Sequence, residues 1–179
     1  MVHEQVVLVD ETGRAVGVAD KATVHGPSTP RHLAFSCYGF DAAGRVLVTQ
    51  RAAEKRAFPL VWTGSCCGHP APGEDPAAAV RRRVRTELGT DVADLRLVLP
   101  DFSYRASDAS GIEEHELCPV FVGTFDGDPR PDPTEVAAWE WWPWDRFLDE
   151  AARGALSPWA ALQAPLLAAA ADPLTARAG

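Results

Sequence analysis

The segment DPAAAVRRRVRTELG, residues 75–89, narrows the possible folds of this chain more than any other. Asp75 offers a side-chain cap, Pro76 suits a first helical turn, and Gly89 sits where helices end in the left-handed region. These signals predict one well-bounded central helix. On either side the sequence turns to the two-residue rhythm of strands. QVVLVD and RAVGVADK are expected as strands. LAFSCYGFD and RVLVTQR form a hairpin about Gly44, and LRLVLPDFSYRA and EEHELCPVFVGTFDG flank the turn SDASG. VHGPSTPRH reads as a loop, because Pro27 and Pro30 break regular structure. FPLVWTGSCCGHPAPGE reads as irregular, with a short strand at most. VAAWEWWPWDRFLDEAARGAL begins as a strand and becomes helical near Asp145. SPWAALQAPLLAAAA is a last helix with Ser157 as its cap. Strands, one helix, more strands and terminal helices predict an α+β fold: a helix/sheet/helix sandwich around a mixed β-sheet, not a regular βαβ repeat. One domain over residues 1–179 is expected, with a frayed, disordered tail after about residue 172.

Composition removes several function classes. The net charge of −8 argues against nucleic-acid binding. No run approaches the roughly 18 apolar residues of a membrane span. The opening MVHEQVVLVDETG reads as strand and turn, not as a signal peptide, so a cytoplasmic protein is expected. No exposed apolar stripe is readable, and a monomer is expected. The 17 basic residues include only two lysines, Lys21 and Lys55. A lysine that persists in so arginine-rich a chain is a candidate for a specific role. An anionic substrate would need such a basic pocket within an acidic field.

Four cysteines, Cys37, Cys66, Cys67 and Cys118, contain no C-x-x-C pair, which leaves a thiolate zinc site without support. Reduced thiols are expected in the cytoplasm. His25 and His32 flank the proline-bent loop, and His69 follows Cys67 by two residues. Glu114 and Glu116, at i and i+2 of a strand, share one face. Two adjacent carboxylates repel unless a cation or a shared proton relieves them. Three imidazoles and two carboxylates suit Mn, Fe or Zn. Glu113 and His115 point the other way and read as bystanders, and His3 reads as exposed. In WEWWPWD, alternation puts Trp139 and Trp141 on one face and Trp142 and Trp144 on the other, as packing residues.

The central stretch GHPAPGEDPAAAVRRRVRTELG resembles the Nudix signature, with Gly68, Glu74, Arg82, Glu87 and Gly89 at matching positions. Two signature glutamates are replaced, by Arg83 and Thr86. The scaffold is therefore Nudix-like, while the hydrolytic metal cluster is reduced to Glu87. Arg83 adds a cation that suits binding a diphosphate more than cleaving it. A Nudix hydrolase and a non-enzymatic metal-binding module stand as the competing readings. HLAFS, LVTQRA..K, WTGSCCGHP, RRRV..ELG, DFSYRA, GIEEHELCPVF and SPWA together resemble the type 1 isopentenyl-diphosphate isomerases, a branch of that superfamily. The resemblance runs from about Val6 to Leu166.

The resemblance implies conversion of isopentenyl diphosphate to dimethylallyl diphosphate through a carbocation, in isoprenoid precursor synthesis. It implies Cys67 and Glu116 as the acid–base pair, with the proton donor left open between them. Tyr104 would bond the catalytic glutamate, and Trp159 would cover the pocket and face the cation. His25, His32, His69, Glu114 and Glu116 would hold Mn²⁺ or Zn²⁺. Lys21, Arg51, Lys55 and Arg83 would bind the diphosphate. Glu87 and the main-chain carbonyl of Cys67 would contact Mg²⁺. Cys66 receives no role.

Overall fold

The computed structural model describes residues 4–170. The expectations for His3 and for the tail beyond 172 lie outside those residues. In chain order the elements are β1 (Gln5–Val9), β2 (Ala15–Asp20), α1 (Lys21–Val24), β3 (His32–Leu33), β4 (Phe35–Phe40) and β5 (Val46–Arg51). β6 (Trp62–Thr63), β7 (Cys66–Gly68), α2 (Pro76–Leu88), β8 (Val92–Leu99), β9 (Ser103–Ser107) and β10 (Glu113–Leu117) follow. β11 (Val120–Phe125), β12 (Val136–Trp142), α3 (Trp144–Ala152) and α4 (Pro158–Ala169) complete the set.

The central helix has the predicted ends. The Asp75 carboxylate accepts from Ala78 N, and Gly89 adopts φ 60°, the left-handed conformation that closes helices without a Cβ penalty. Ser157 likewise caps α4 by accepting from Ala160 N.

One sheet runs β2-β1-β3-β10-β9, and a second runs β12-β5-β4-β11-β8, with β6 on β5 and β7 on β4. β3–β10 and β4–β11 are parallel, and the other pairs are antiparallel, so both sheets are mixed. The second sheet is the middle layer of the sandwich. Along β4, Phe35 and Cys37 face the cluster that holds Val80, Val84 and Leu88 of α2. Tyr38 and Phe40 face the opposite cluster, with Phe147 of α3 and Ala160, Ala164 and Leu167 of α4. Strand alternation thus serves two cores from one layer. The tryptophans obey the same rule: Trp142 and Trp144 join the α3–α4 cluster, and Trp139 and Trp141 join the α2 cluster.

Three local expectations change. Short α1 runs up to the first residue of the proline-bent loop, Val24, and short β3 begins at its last, His32. The irregular stretch supplies two short strands, β6 and β7. The β4–β5 hairpin keeps only the Phe40–Val46 pairing, because β7 pairs with β4 and β6 with β5 further along. These strands of two or three residues are too short for any periodicity to announce them.

Candidate active site

Sheet register assembles the site before any side chain is considered. Glu116 lies opposite His32 in the parallel β3–β10 pair and opposite Tyr104 in the antiparallel β9–β10 pair. Opposed residues on one face of a sheet come within side-chain reach. Glu116 Oε1 lies 3.1 Å from His69 Nε2 and 3.4 Å from His32 Nε2, while Oε2 accepts from the Tyr104 hydroxyl at 2.9 Å. His69 comes from just beyond β7. His25 arrives on the loop after α1, its Nε2 3.1 Å from Glu114 Oε2.

His25, His32, His69 and Glu116 each place one ligand atom so that all four lie within 4.8 Å of one another. His32 Nδ1 sits 2.9 Å from the Pro30 carbonyl, the contact that fixes a tautomer with the Nε2 lone pair pointing inward. Nε2 of His32 and Nε2 of His69 face each other at 3.2 Å. His69 Nδ1 is buried without a hydrogen-bond partner, and buried His25 Nε2 and Glu114 Oε2 face only each other. Converging imidazole nitrogens, a carboxylate and an orphaned polar atom fit a bound divalent cation. Glu114 stands against His25 and outside the tightest set of four.

Burial works to raise Glu116, but its contacts with the His32 and His69 rings outweigh it and hold its carboxyl well below the usual range. Burial, then the neighbouring Glu116 charge, pushes Glu114 up. Burial takes His69 down to about 4, so its ring is neutral and one ring nitrogen keeps a lone pair that can ligate. Tyr104 is pushed well above its ordinary value by burial and by Glu116, and so keeps the proton it donates.

A cavity of about 200 Å³ opens beside this cluster. Cys67, Tyr104, Glu114, Glu116 and Trp159 line it. So do all four expected cations, Lys21, Arg51, Lys55 and Arg83, together with Arg56. Trp159 is 3% exposed, with the Arg51 guanidinium carbon 5.5 Å from its ring centroid and Tyr104 tilted against it at 5.6 Å. Lys21 pairs with Glu4 at 2.5 Å, Lys55 with Glu135, and Arg83 with Glu87 and Glu135. Burial is the main cause that lowers Lys55 to about 8.

The cysteine doublet splits across strand β7. Cys67 turns toward the cavity, its sulfur 3.6 Å from Ser36 Oγ, and burial pushes its thiol up to about 11. Cys66 points into the α2 cluster, 3.6 Å from Glu87 Oε2. All four cysteines are free. Gly68 is required by close approach, since a Cβ there would meet Phe35 Cζ at 2.9 Å and Arg83 Cγ at 3.0 Å.

Comparison with known proteins bears on this geometry. The NUDIX domain model matches residues 30–163. A protein from Mycolicibacterium vanbaalenii described as isopentenyl-diphosphate Delta-isomerase is 60% identical over 168 residues, 93% of each chain. One of the same description from Frankia alni is 54% identical over 98% of this chain and 91% of that one. This chain belongs to the isopentenyl-diphosphate Delta-isomerase family, within the NUDIX superfamily. Among solved structures, a Deinococcus radiodurans protein superposes with TM-score 0.66 at 20% identity, covering 86% of this chain and 92% of that chain. A NUDIX hydrolase from Nitrosomonas europaea gives 0.53 at 20% identity, covering 80% and 93%. At that identity the likeness concerns the fold alone.

In this isomerase-family chain the altered signature positions are informative. Arg83 is buried against Glu87, and the Thr86 hydroxyl bonds back to the Arg82 carbonyl. Glu74 and Arg82 form an ion pair at 2.8 Å, and Glu74 also accepts from Ala71 N, which ties down the loop leading into α2. Glu113 is more than a bystander. It faces away from the histidines, yet its carboxylate accepts from Thr29 N at 3.0 Å, and its carbonyl accepts from the Thr29 hydroxyl at 2.5 Å. It therefore fastens the loop between His25 and His32. Sequence reasoning also missed Arg56, Ser36 and the counter-ions Glu4 and Glu135. Of these only Ser36 had a legible signal, its place in the quoted HLAFS.

Proposed function

We propose that this protein converts isopentenyl diphosphate to dimethylallyl diphosphate, supplying a precursor for isoprenoid synthesis. The observation that carries the reading is the shared cavity: Cys67 and Glu116 line it together with Trp159 and five cations. A proton adds to the terminal alkene carbon, charge develops on the tertiary carbon, and a proton leaves the neighbouring methylene. Cys67 and Glu116 form the pair that gives and takes these protons. Tyr104 holds Glu116 in place through Oε2. Trp159 presents a π face to the cation and keeps out water, which would trap it as an alcohol.

Lys21, Arg51, Lys55 and Arg83 bind the diphosphate, with Arg56 adding to the same basic wall. His25, His32, His69, Glu114 and Glu116 hold Mn²⁺ or Zn²⁺, whose charge keeps the clustered carboxylates ionised. Glu87 and the Cys67 carbonyl hold Mg²⁺, which neutralises the diphosphate. The protein acts as a single-domain cytoplasmic monomer, without nucleic acid or membrane. The net charge of −8 supports the absence of nucleic acid, and no helix among the described residues is long and apolar enough to cross a membrane.

Phosphorus and proton NMR of isopentenyl diphosphate incubated with the protein, Mn²⁺ and Mg²⁺ tests this reading. Growth of dimethylallyl diphosphate without inorganic phosphate release is expected. Phosphate release without isomerisation would make the protein a hydrolase instead.

A further inference from the structure

Helix α4 buries an amide among apolar neighbours. Gln163 is 0% exposed, and the other inward side chains of the helix are Trp159, Ala160, Ala164 and Leu167. A buried amide costs stability unless its polar atoms are paired. The Tyr38 hydroxyl donates to Gln163 Oε1 at 2.6 Å, and Gln163 Nε2 donates to Ser36 Oγ at 2.9 Å. Ser36 Oγ in turn lies 3.6 Å from Cys67 Sγ and 3.4 Å from Cys118 Sγ.

The direction of this chain follows from its donors. Tyr38 has one hydroxyl hydrogen and is itself 0% exposed. With the amide reversed, that hydrogen would face an NH₂ group instead of an acceptor. Gln163 therefore presents its NH₂ to Ser36, and Ser36 Oγ accepts. The serine is left with one hydrogen and one lone pair, and two sulfurs face it. Cys118 is 1% exposed, and its thiol can give its hydrogen to that lone pair across 3.4 Å. The serine hydrogen is then directed at Cys67, the sulfur that lines the cavity.

We propose that Ser36 and Gln163 are positioning residues for the reaction: Gln163 locks the Ser36 hydroxyl so that it donates to Cys67 Sγ and supports that sulfur whenever its proton is on the substrate. The inference rests on the assignment of Cys67 to the acid–base pair. No proton leaves Ser36; its hydrogen bond strengthens as charge develops on sulfur and weakens when the proton returns. Gln163 lies one helical turn after Trp159, so a single face of α4 sets both the aromatic cover of the cavity and the anchor of its thiol.

Steady-state kinetics of Ser36→Ala and Gln163→Leu, beside Cys67→Ala, test this, with Raman spectra in the S–H stretching region. The Cys67 band is isolated as the difference from Cys67→Ala protein. Loss of one bond to a charged group predicts that kcat falls roughly 10-fold to 100-fold. KM for isopentenyl diphosphate should hold within about twofold, because the lost bond does not touch substrate. The Cys67 band should shift in Ser36→Ala. Should Gln163→Leu fail to fold, Ser36→Ala decides alone. Unchanged kcat and an unchanged band in Ser36→Ala, with Cys67→Ala inactive, would overturn the inference and leave the Cys67 assignment standing. A Cys67→Ala protein with full activity would overturn both.

Discussion

Glu116 shares its two carboxylate oxygens between different neighbours: Oε1 faces His69 and His32, and Oε2 accepts from Tyr104 at 2.9 Å. The division lets one side chain belong to a metal-binding cluster and to a reaction cavity at once. Tyr104→Phe removes the bond on the cavity side only. We expect kcat to fall roughly 10-fold or more, as for loss of a hydrogen bond to a charged group. Bound metal, read by plasma mass spectrometry, should be unchanged.

The histidine side of the cluster predicts the converse. His32→Ala and His69→Ala should each reduce retained metal to about a tenth or less after dialysis. His32→Ala also leaves a void at a fully buried position, and its melting temperature should drop. Chelation of the wild type should abolish activity, with recovery on adding back Mn²⁺ or Zn²⁺.

Lys55 gives a pH dependence. Burial lowers it to about 8 from an ordinary 10.5, the Arg51 and Arg83 charges add to this, and Glu87 opposes it. As pH rises through about 8 the free protein loses this positive charge, and KM for the diphosphate should rise while kcat changes little. Lys55→Arg should abolish the rise, because a guanidinium stays charged. The unfolded chain keeps this proton to higher pH than the folded one. The group's contribution to stability therefore increases with pH between about 8 and 10.5.

Trp159 packs against Tyr104 and Phe58 and carries Arg51 near its ring. Trp159→Leu retains an apolar wall without a π face. A cation–π contribution of about 2 kcal/mol predicts a fall in kcat of roughly 30-fold. Mass spectrometry should also detect the tertiary alcohol formed when water reaches the cation.

The sequence revealed the long, regular parts of the fold and much of the site's membership. Helix α2 was readable because Asp75, Pro76 and Gly89 are local signals that the structure uses locally. The tryptophan faces were readable because strand alternation needs no partner. His25, His32, His69 and Glu116 were readable as a set of residue types, and tertiary contact supplies the convergence. β3, β6 and β7 were not readable, because strands of two or three residues exist only through their neighbours. The part played by Glu113 was hidden for a related reason. Alternation turned it away from the histidines, yet the loop it fastens folds back to its side of the strand. Glu135 and Glu4 reach the basic wall from distant segments, and no spacing rule links them to Lys55 or Lys21.

Cys66 and Cys67 differ by one position and face opposite sides of β7, so they make a matched pair of controls for the acid–base assignment. The deciding measurement is deuterium incorporation from D₂O into isopentenyl and dimethylallyl diphosphate by the wild type, Cys66→Ala and Cys67→Ala proteins. The account predicts incorporation by the wild type, near-normal incorporation by Cys66→Ala, and a loss of at least about 100-fold in Cys67→Ala, the lower range for removing a general acid–base group. Equal loss in both variants, or none in Cys67→Ala, would contradict it.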